Sequence, residues 1–331
     1  MLQCKWTDDG LELVDVDPGP LEPHQIRLRV AASGICGSDL HSFRHELPAR
    51  PGDTPGHEVV GTIIEGPADL ADVLYAIEPK TRCGVCELCL SGKRHLCNDG
   101  VLIGTRIPGG MSEFIDVPTY TVHPVDSAVE PLIASLAEPL AVCTRGLRLS
   151  RLELNSRVLV VGAGTIGLLT ALLARDRCRT VAISARHEHQ KKAAYALGIE
   201  AVSESDVIAW SRENEPDVVI ETVGGGANTL DQAVQAVRKS GRIIVLGVFT
   251  GDVKFSGLLL VTKELTVLGS MIYGASQRGS DFGTAVSLLS RHRTDLKHLL
   301  THQYPLASIN EAFTAALDKS TGAIKVTLLV D

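Results

Sequence analysis

Three groups of residues have the types and spacing for chemistry. Cys83, Cys86, Cys89 and Cys97 form a C-x-x-C-x-x-C-x7-C run inside Arg82-Cys-Gly-Val-Cys-Glu-Leu-Cys-Leu-Ser-Gly-Lys-Arg-His-Leu-Cys97. Four thiolates this close can surround one tetrahedral Zn²⁺, and a complete cysteine set leaves no position for water or substrate. Such a site is structural. An iron–sulfur cluster draws on the same residue type, and a knot of reduced thiols needs no metal. In a large chain with a loop-like, Gly- and Arg-containing setting, metal is the favoured reading over a disulfide framework. His95 lies inside the run but is a bystander to a set that is already full. The second group is dispersed: Cys36-Gly-Ser38-Asp39-Leu-His41, then Gly56-His57-Glu58, then Glu138-Pro-Leu140. Thiolate, imidazole and carboxylate are zinc donors, and a catalytic site keeps one position open. Spacing alone is a weak signal here. Taken singly, Cys36 reads as a small buried residue, His57 as a core histidine, and Glu58 and Glu138 as ion-paired or surface carboxylates.

The third group is Gly162-Ala163-Gly164-Thr165-Ile166-Gly167, a G-x-G-x-x-G loop between the β-branched run Val158–Val161 and an apolar helical run to Ala174. The first glycine permits the tight turn and the second lets backbone approach a pyrophosphate. The third lets helix pack closely on strand, with the helix N-terminus facing the phosphates. A membrane span is the rival for Val158–Ala174, which carries no charge. As a helix it would reach only about 25 Å against a hydrocarbon core of about 30 Å.

The elements that must position these groups follow from pattern. Gln25–Val30 alternates polar and apolar residues as a half-buried strand does, and Val59–Ile64 reads as another. Gly/Pro clusters at 17–20, 51–56 and 108–110 mark turns. From Val158 the rhythm changes to strand alternating with helix. The strands are expected at Val158–Val161, Val181–Ile183, Asp217–Glu221, Arg242–Leu246 and Leu265–Leu268, with a helix over Arg186–Leu197 capped by Gly198. That alternation argues for a parallel sheet covered on both faces. A helix near Ile309–Leu317 and a final strand at Ala323–Val330 close the chain. Its 331 residues suffice for two domains. The net charge of −7 comes without long charged runs, so no nucleic acid or membrane partner is implied. The opening Met1-Leu-Gln-Cys-Lys-Trp lacks the regions of a signal peptide, which favours the cytoplasm.

Taken in order, Cys36-Gly-Ser-Asp-Leu-His41, Gly56-His-Glu-Val-Val-Gly61, the four-cysteine run, Glu138-Pro-Leu-Ala-Val142 and Val161-Gly-Ala-Gly-Thr-Ile-Gly167 resemble the zinc-dependent medium-chain dehydrogenase/reductase family. The resemblance runs nearly end to end and is strongest to the polyol branch of sorbitol, threonine, butanediol and glucose dehydrogenases. It implies an α/β chain with a doubly wound Rossmann domain at 143–273. Residues 1–142 would form a mostly β, partly open barrel carrying the structural zinc lobe at 83–97, and residues 274–331 would complete this catalytic domain. By the same resemblance Cys36 and His57 are catalytic zinc ligands, with Glu58 and Glu138 bound to the metal directly or through water. Cys83, Cys86, Cys89 and Cys97 hold the structural zinc. Ser38 takes the substrate proton, His41 passes it to solvent, and Asp39 orients the ligand imidazole. Val223, Gly247 and Val248 join the glycine loop as cofactor-binding positions. The implied activity is hydride transfer between a secondary alcohol, or its ketone, and a nicotinamide cofactor, in a homodimer or homotetramer.

The cofactor itself is read from the end of the second strand. NAD enzymes place an acid there for the ribose hydroxyls, whereas this chain has Ser184-Ala185-Arg186, with Ala185 at the acid's position. A small residue removes repulsion against a 2′-phosphate, Arg186 can pair with that phosphate, and Ser184 can add a hydrogen bond. NADP(H) is therefore expected over NAD(H), with an NAD-dependent dehydrogenase as the alternative. Between Ile64 and Glu78 the chain is shorter than the family's usual connection, which predicts a trimmed barrel hairpin. Two other functions remain to be weighed: a zinc-free quinone or enoyl reductase, opposed by the retained ligand residues, and a non-catalytic binding protein on the same fold.

Overall fold

A computed structural model describes residues 1–67, 70, 73–276 and 279–330. The chain divides into two compact units, Met1–Glu138 with Gly274–Asp331, and Pro139–Tyr273. The shortened connection expected between Ile64 and Glu78 includes residues 68, 69, 71 and 72, which lie outside the described residues.

The first unit starts with a hairpin, β1 (Leu2–Thr7) and β2 (Gly10–Asp15), followed by the long β3 (Gln25–Gly34). A short helix, α1 (Gly37–Phe43), leads to β4 (Glu58–Glu65) and β5 (Leu74–Ile77). One helical turn, α2 (Glu87–Leu90), sits within the four-cysteine run, and β6 (Phe114–Pro118), β7 (Val122–Pro124) and α3 (Pro131–Ala134) follow. The alternation read in Gln25–Val30 extends four residues further, because β3 is paired along its length, antiparallel to β4, β6 and the final strand. Its apolar side chains Ile26, Leu28 and Val30 pack with Val59, Tyr75, Ile77, Ile115 and Val117 in one buried cluster.

The second unit takes up the parallel rhythm. Helix α4 (Ala137–Ser150) precedes β8 (Arg157–Val161), α5 (Thr165–Arg175), β9 (Thr180–Ala185), α6 (Glu188–Ala196) and β10 (Glu200–Ser203). Then come α7 (Val207–Asn214), β11 (Val218–Glu221), α8 (Thr229–Ala236), β12 (Arg242–Val245), α9 (Gly257–Thr262) and β13 (Thr266–Gly269). The six strands form one parallel sheet in the order β10-β9-β8-β11-β12-β13. This is the doubly wound order, with the switch point between β8 and β11, where such sheets bind dinucleotides beyond the strand ends. β10 had no counterpart among the sequence expectations, since Glu200-Ala-Val-Ser203 is too short for its alternation to stand out. The expected helix over Arg186–Leu197 is α6, and it starts two residues later because Gln190 Oε1 accepts the backbone N–H groups of Arg186 and His187 at 3.0 and 3.1 Å, capping that end. Gly198 follows the helix with φ of +68°, the left-handed conformation that ends a helix.

The chain then returns to the first unit through the short pair β14 (Ala275–Ser276) and β15 (Gly279–Ser280), and α10 (Asp281–Lys297). It ends with β16 (Leu300–Pro305), α11 (Ile309–Leu317) and β17 (Lys325–Leu329). β17 completes the sheet order β16-β17-β3-β4-β5-β7. Its register sets Thr327 opposite Gly34, while Gly34 on its other side faces Glu58. Residues nearly 300 positions apart thereby meet at one end of β3. Among the described residues, no helix is long and apolar enough to cross a membrane.

Candidate metal and cofactor sites

The four-cysteine run folds on itself. Gly84 and Gly92 take positive φ of 79° and 78°, the tight reversals that let a chain this short wrap around a point. The sulfurs of Cys83 and Cys89 lie 4.0 Å apart, those of Cys86 and Cys97 3.8 Å, and those of Cys97 and Cys83 3.5 Å. Four sulfurs around one Zn²⁺ at about 2.3 Å stand roughly 3.8 Å from one another, so the set fits the ion. The N–H of Cys83 donates to Cys97 Sγ at 3.3 Å, and this bond leads the effects that bring the Cys97 thiol down to about 6, favouring the thiolate a metal needs. His95 is buried in the adjoining turn but does not belong to the donor group.

The second centre is built at the end of β3, where Cys36 precedes α1. Helix α1 is held by its apolar side: Leu40 and Phe43 pack on a buried cluster, with the Phe43 ring 5.3 Å from Phe313 and 6.4 Å from Trp6. Such ring pairs contribute about 0.5–1.5 kcal/mol each beyond the area they bury. The opposite side of the turn carries Ser38, Asp39 and His41. Asp39 is buried, and its Oδ2 accepts the Cys36 N–H at 2.9 Å, while its Oδ1 lies 3.7 Å from His57 Nδ1. That second separation is an ion-pair distance, longer than a hydrogen bond. His57 and Glu58 are delivered by the turn at Gly56, whose φ of +101° and contact with Met111 leave no room for a side chain. Cys36, His57 and Glu58 bring a sulfur, a ring nitrogen and a carboxylate oxygen within 4.8 Å of one another. Glu138 does not reach into this trio, although its charge bears on His57.

Burial works against a charged His57, but Asp39, Cys36 and Glu138 outweigh it and raise the imidazole's pKa well above its ordinary value. Burial likewise pushes Glu138 up to about 7, opposed by His57 and helped by Glu58. A buried pocket crowded with acids and a thiol is one that a divalent cation relieves. The chemistry of the donor set therefore fits zinc.

In the second unit the glycine loop has the shape its spacing demands. Gly162 turns with φ of +101°, and a Cβ on Gly167 would stand 1.8 Å from Gly162 O. A Cβ on Gly164 would meet nothing within 4 Å, so that backbone, at the N-cap of α5, is open to a phosphate. Ala163 is buried behind the loop, while Thr165 and Ile166, the first two residues of α5, are half-buried. Val223 and Val248 are exposed apolar residues, and a Cβ on Gly162 would touch Val223. Gly247 lies against the Glu221 carboxylate, whose Oε1 accepts the N–H groups of Val223 and Gly224 and the hydroxyl of Thr229. Ser184 is buried and its Oγ accepts the Gly162 N–H at 2.9 Å, so this hydroxyl ties the loop to the end of β9. Ala185 is buried too. Arg186 is mostly exposed and pairs with Glu204.

Known proteins share this combination. An alcohol dehydrogenase GroES-like domain matches residues 22–127, and a zinc-binding dehydrogenase domain matches 165–291. The L-threonine 3-dehydrogenase of Pyrococcus furiosus is 30% identical, covering 95% of this chain and 94% of its own. The chain belongs to the zinc-dependent medium-chain dehydrogenase/reductase family. Within the family it falls in the polyol branch: a sorbitol dehydrogenase of Halalkalibacterium halodurans is 29% identical over 92% of this chain and 91% of its own. A solved zinc-binding dehydrogenase of Sinorhizobium meliloti 1021, bound to NADP, superposes with a TM-score of 0.90 at 26% identity, over 99% of this chain and 98% of that one. The family is one of zinc-dependent NAD(P) oxidoreductases acting on CH–OH groups.

Two neighbours of the candidate site residues escaped the sequence reading. Lys325, buried on β17, pairs with Glu58 and donates to Ile35 O at 2.9 Å. It passes over Gly34, where a Cβ would collide with both Glu58 Oε2 and the lysine chain. Glu46 pairs with His41 Nδ1 at 2.5 Å. Neither sits in a motif. Lys325 becomes visible only through strand register, and Glu46 only as an acid close behind His41.

Proposed function

We propose that this dehydrogenase oxidises a secondary alcohol or polyol, or reduces the corresponding ketone, with NADP(H) as its cofactor. The observation that carries the activity is the trio of half-buried Cys36 with buried His57 and Glu58, beside a short helix bearing Ser38 and His41. When bound, zinc supplies a Lewis acid that acidifies the substrate hydroxyl, and the nicotinamide ring accepts the hydride.

The chain's own residues do the rest. Cys36 and His57 would hold the metal, and Asp39 keeps both in place by accepting the Cys36 N–H and lying at ion-pair distance from the His57 ring. Lys325 holds the Glu58 carboxylate by one oxygen. Ser38 takes the hydroxyl proton of the substrate. His41 lies one helical turn beyond Ser38, on the same side of α1, and carries the proton outward. Its ring is only partly covered, and Glu46 on the solvent side pairs with Nδ1 and fixes the ring's orientation. Glu138 adds a further buried carboxylate whose charge bears on His57.

The cofactor preference rests on Ala185. No acid stands at the end of β9 to accept the ribose hydroxyls, and Arg186 follows directly. Comparing kcat/KM for NADP⁺ and NAD⁺ with secondary alcohols, diols, sugars and amino alcohols tests both parts. A preference for NADP⁺ of about tenfold or more is expected from one charged phosphate contact. A clear NAD⁺ preference overturns the cofactor assignment. We further propose that the chain works as a homodimer or homotetramer in the cytoplasm, a compartment that keeps thiols such as those of the four-cysteine run reduced. Light scattering on a gel-filtration column tests the assembly, and a monomeric mass contradicts it.

A further inference from the structure

Arg186 does not wave in solvent. β9 and β10 run parallel with Ala185 paired to Ser203, so the residues just beyond each strand end, Arg186 and Glu204, stand side by side. The Arg186 Nε–H donates to Glu204 Oε2 at 2.6 Å and its Nη2–H to Oε1 at 2.8 Å. This is a bidentate pairing along one edge of the guanidinium. An arginine has five N–H donors in a planar fork. Glu204 takes two of them, which leaves three, two of which lie along the adjoining edge formed by Nη1 and Nη2. The arginine side chain is 67% exposed, so that edge is open to a ligand. A carboxylate that grips one edge of the fork fixes the plane of the other.

We infer that Glu204 is a specificity-determining positioning residue, which holds Arg186 by its Nε edge so that the adjoining Nη1/Nη2 edge meets the 2′-phosphate of NADP(H). This inference rests on the NADP reading above and assigns a partner to its arginine. Two effects of Glu204 oppose one another. A long arginine side chain otherwise loses freedom when it captures phosphate, and Glu204 takes that loss before the ligand arrives. Against this, its negative charge repels the phosphate. The carboxylate and the phosphate would occupy adjoining edges of the fork, on a side chain that is mostly exposed, with the guanidinium charge between them and salt and water around both. Screening weakens the repulsion there, while pre-ordering is undiminished. Positioning therefore dominates.

Calorimetric titration with adenosine 2′,5′-bisphosphate, alongside 5′-AMP as the ligand lacking the 2′-phosphate, tests this without turnover. Glu204→Ala should weaken the bisphosphate roughly fivefold, the range for freeing one rotamer-rich side chain, and leave the Kd for 5′-AMP in place. Glu204→Gln keeps one acceptor oxygen and should fall between Ala and the native residue. In an Arg186→Ala background, Glu204→Ala should have no further effect on the bisphosphate. Steady-state kinetics should show the loss in the KM for NADP⁺ rather than in kcat. Tighter or unchanged binding of the bisphosphate by Glu204→Gln and Glu204→Ala overturns the inference, since repulsion or indifference would then describe Glu204. If Arg186→Ala alone leaves the discrimination between bisphosphate and 5′-AMP unchanged, the NADP reading itself has failed, a result separate from the first.

Discussion

The two metal-binding groups of the first unit are made in opposite ways. The four-cysteine lobe is one short stretch of chain, reversed at Gly84 and Gly92, with four identical soft donors and no other charged partner in the set. The Cys36 centre draws on the end of β3, the start of β4 and the last strand, and it mixes thiol, imidazole, carboxylate and a buried lysine. A closed shell of thiolates suits a structural ion. A shell of unlike donors, held by hydrogen bonds and an ion pair, leaves room for exchange at the metal. The difference teaches where function sits: chemistry is placed where distant segments of chain must agree, and structure is held where one segment suffices.

Substitutions can break that comparison, and the largest effect should come from Cys36. Cys36→Ser should lower kcat by about 10³-fold or more, because several kcal/mol of charge stabilisation depend on the metal it holds. Thermal unfolding should change little, since the four-cysteine lobe is untouched. Equal losses of activity and of lobe zinc would merge the two centres and contradict their separation.

Lys325 comes next. Lys325→Met leaves Glu58 charged and buried without its cation, a change that costs about 3–5 kcal/mol of stability for a buried pair. Denaturant unfolding measures it, and Lys325→Met with Glu58→Gln should recover most of the loss. If the double variant is as unstable as the single one, the ion pair is not what Lys325 contributes.

Cys97→Ser should act on the other centre. The lobe should lose its metal, and protease should cut within residues 83–97, while kcat per intact Cys36 centre falls less than in Cys36→Ser. The stability loss should be about 2–4 kcal/mol, comparable to removing a covalent staple from a small loop. Resistance to protease in the variant would show that the lobe folds without metal. The smallest effect belongs to the proton path. His41→Gln should reduce kcat by roughly tenfold, at the low end of what a positioned proton-transfer group supplies, and zinc content should not change. A kcat equal to that of the native protein would remove His41 from the path.

Much of this was legible in the residues because the information was local. The glycine loop, the helix behind it and the four-cysteine run each lie within one continuous stretch, and local spacing already constrains their geometry. Two partners were not legible, and one contact differs from its expectation. Lys325 reaches Glu58 because β17 pairs with β3 across almost the whole chain, and no window of sequence contains that register. Glu204 meets Arg186 through the β9–β10 ladder, whose second strand has only four residues. Asp39 was expected to accept a hydrogen bond from the His57 ring, and the structure holds it instead on the Cys36 N–H, at ion-pair distance from His57. Side-chain detail of that kind follows from packing around α1, which the order of residues does not encode by itself.

Elemental zinc analysis during chelation, with activity followed in parallel, tests the division into two centres most directly. About two zinc ions per chain are expected, the first leaving with all activity and the second remaining until the lobe unfolds. Only one zinc in the untreated protein, or activity that survives loss of the first ion, would contradict a catalytic metal at Cys36, His57 and Glu58.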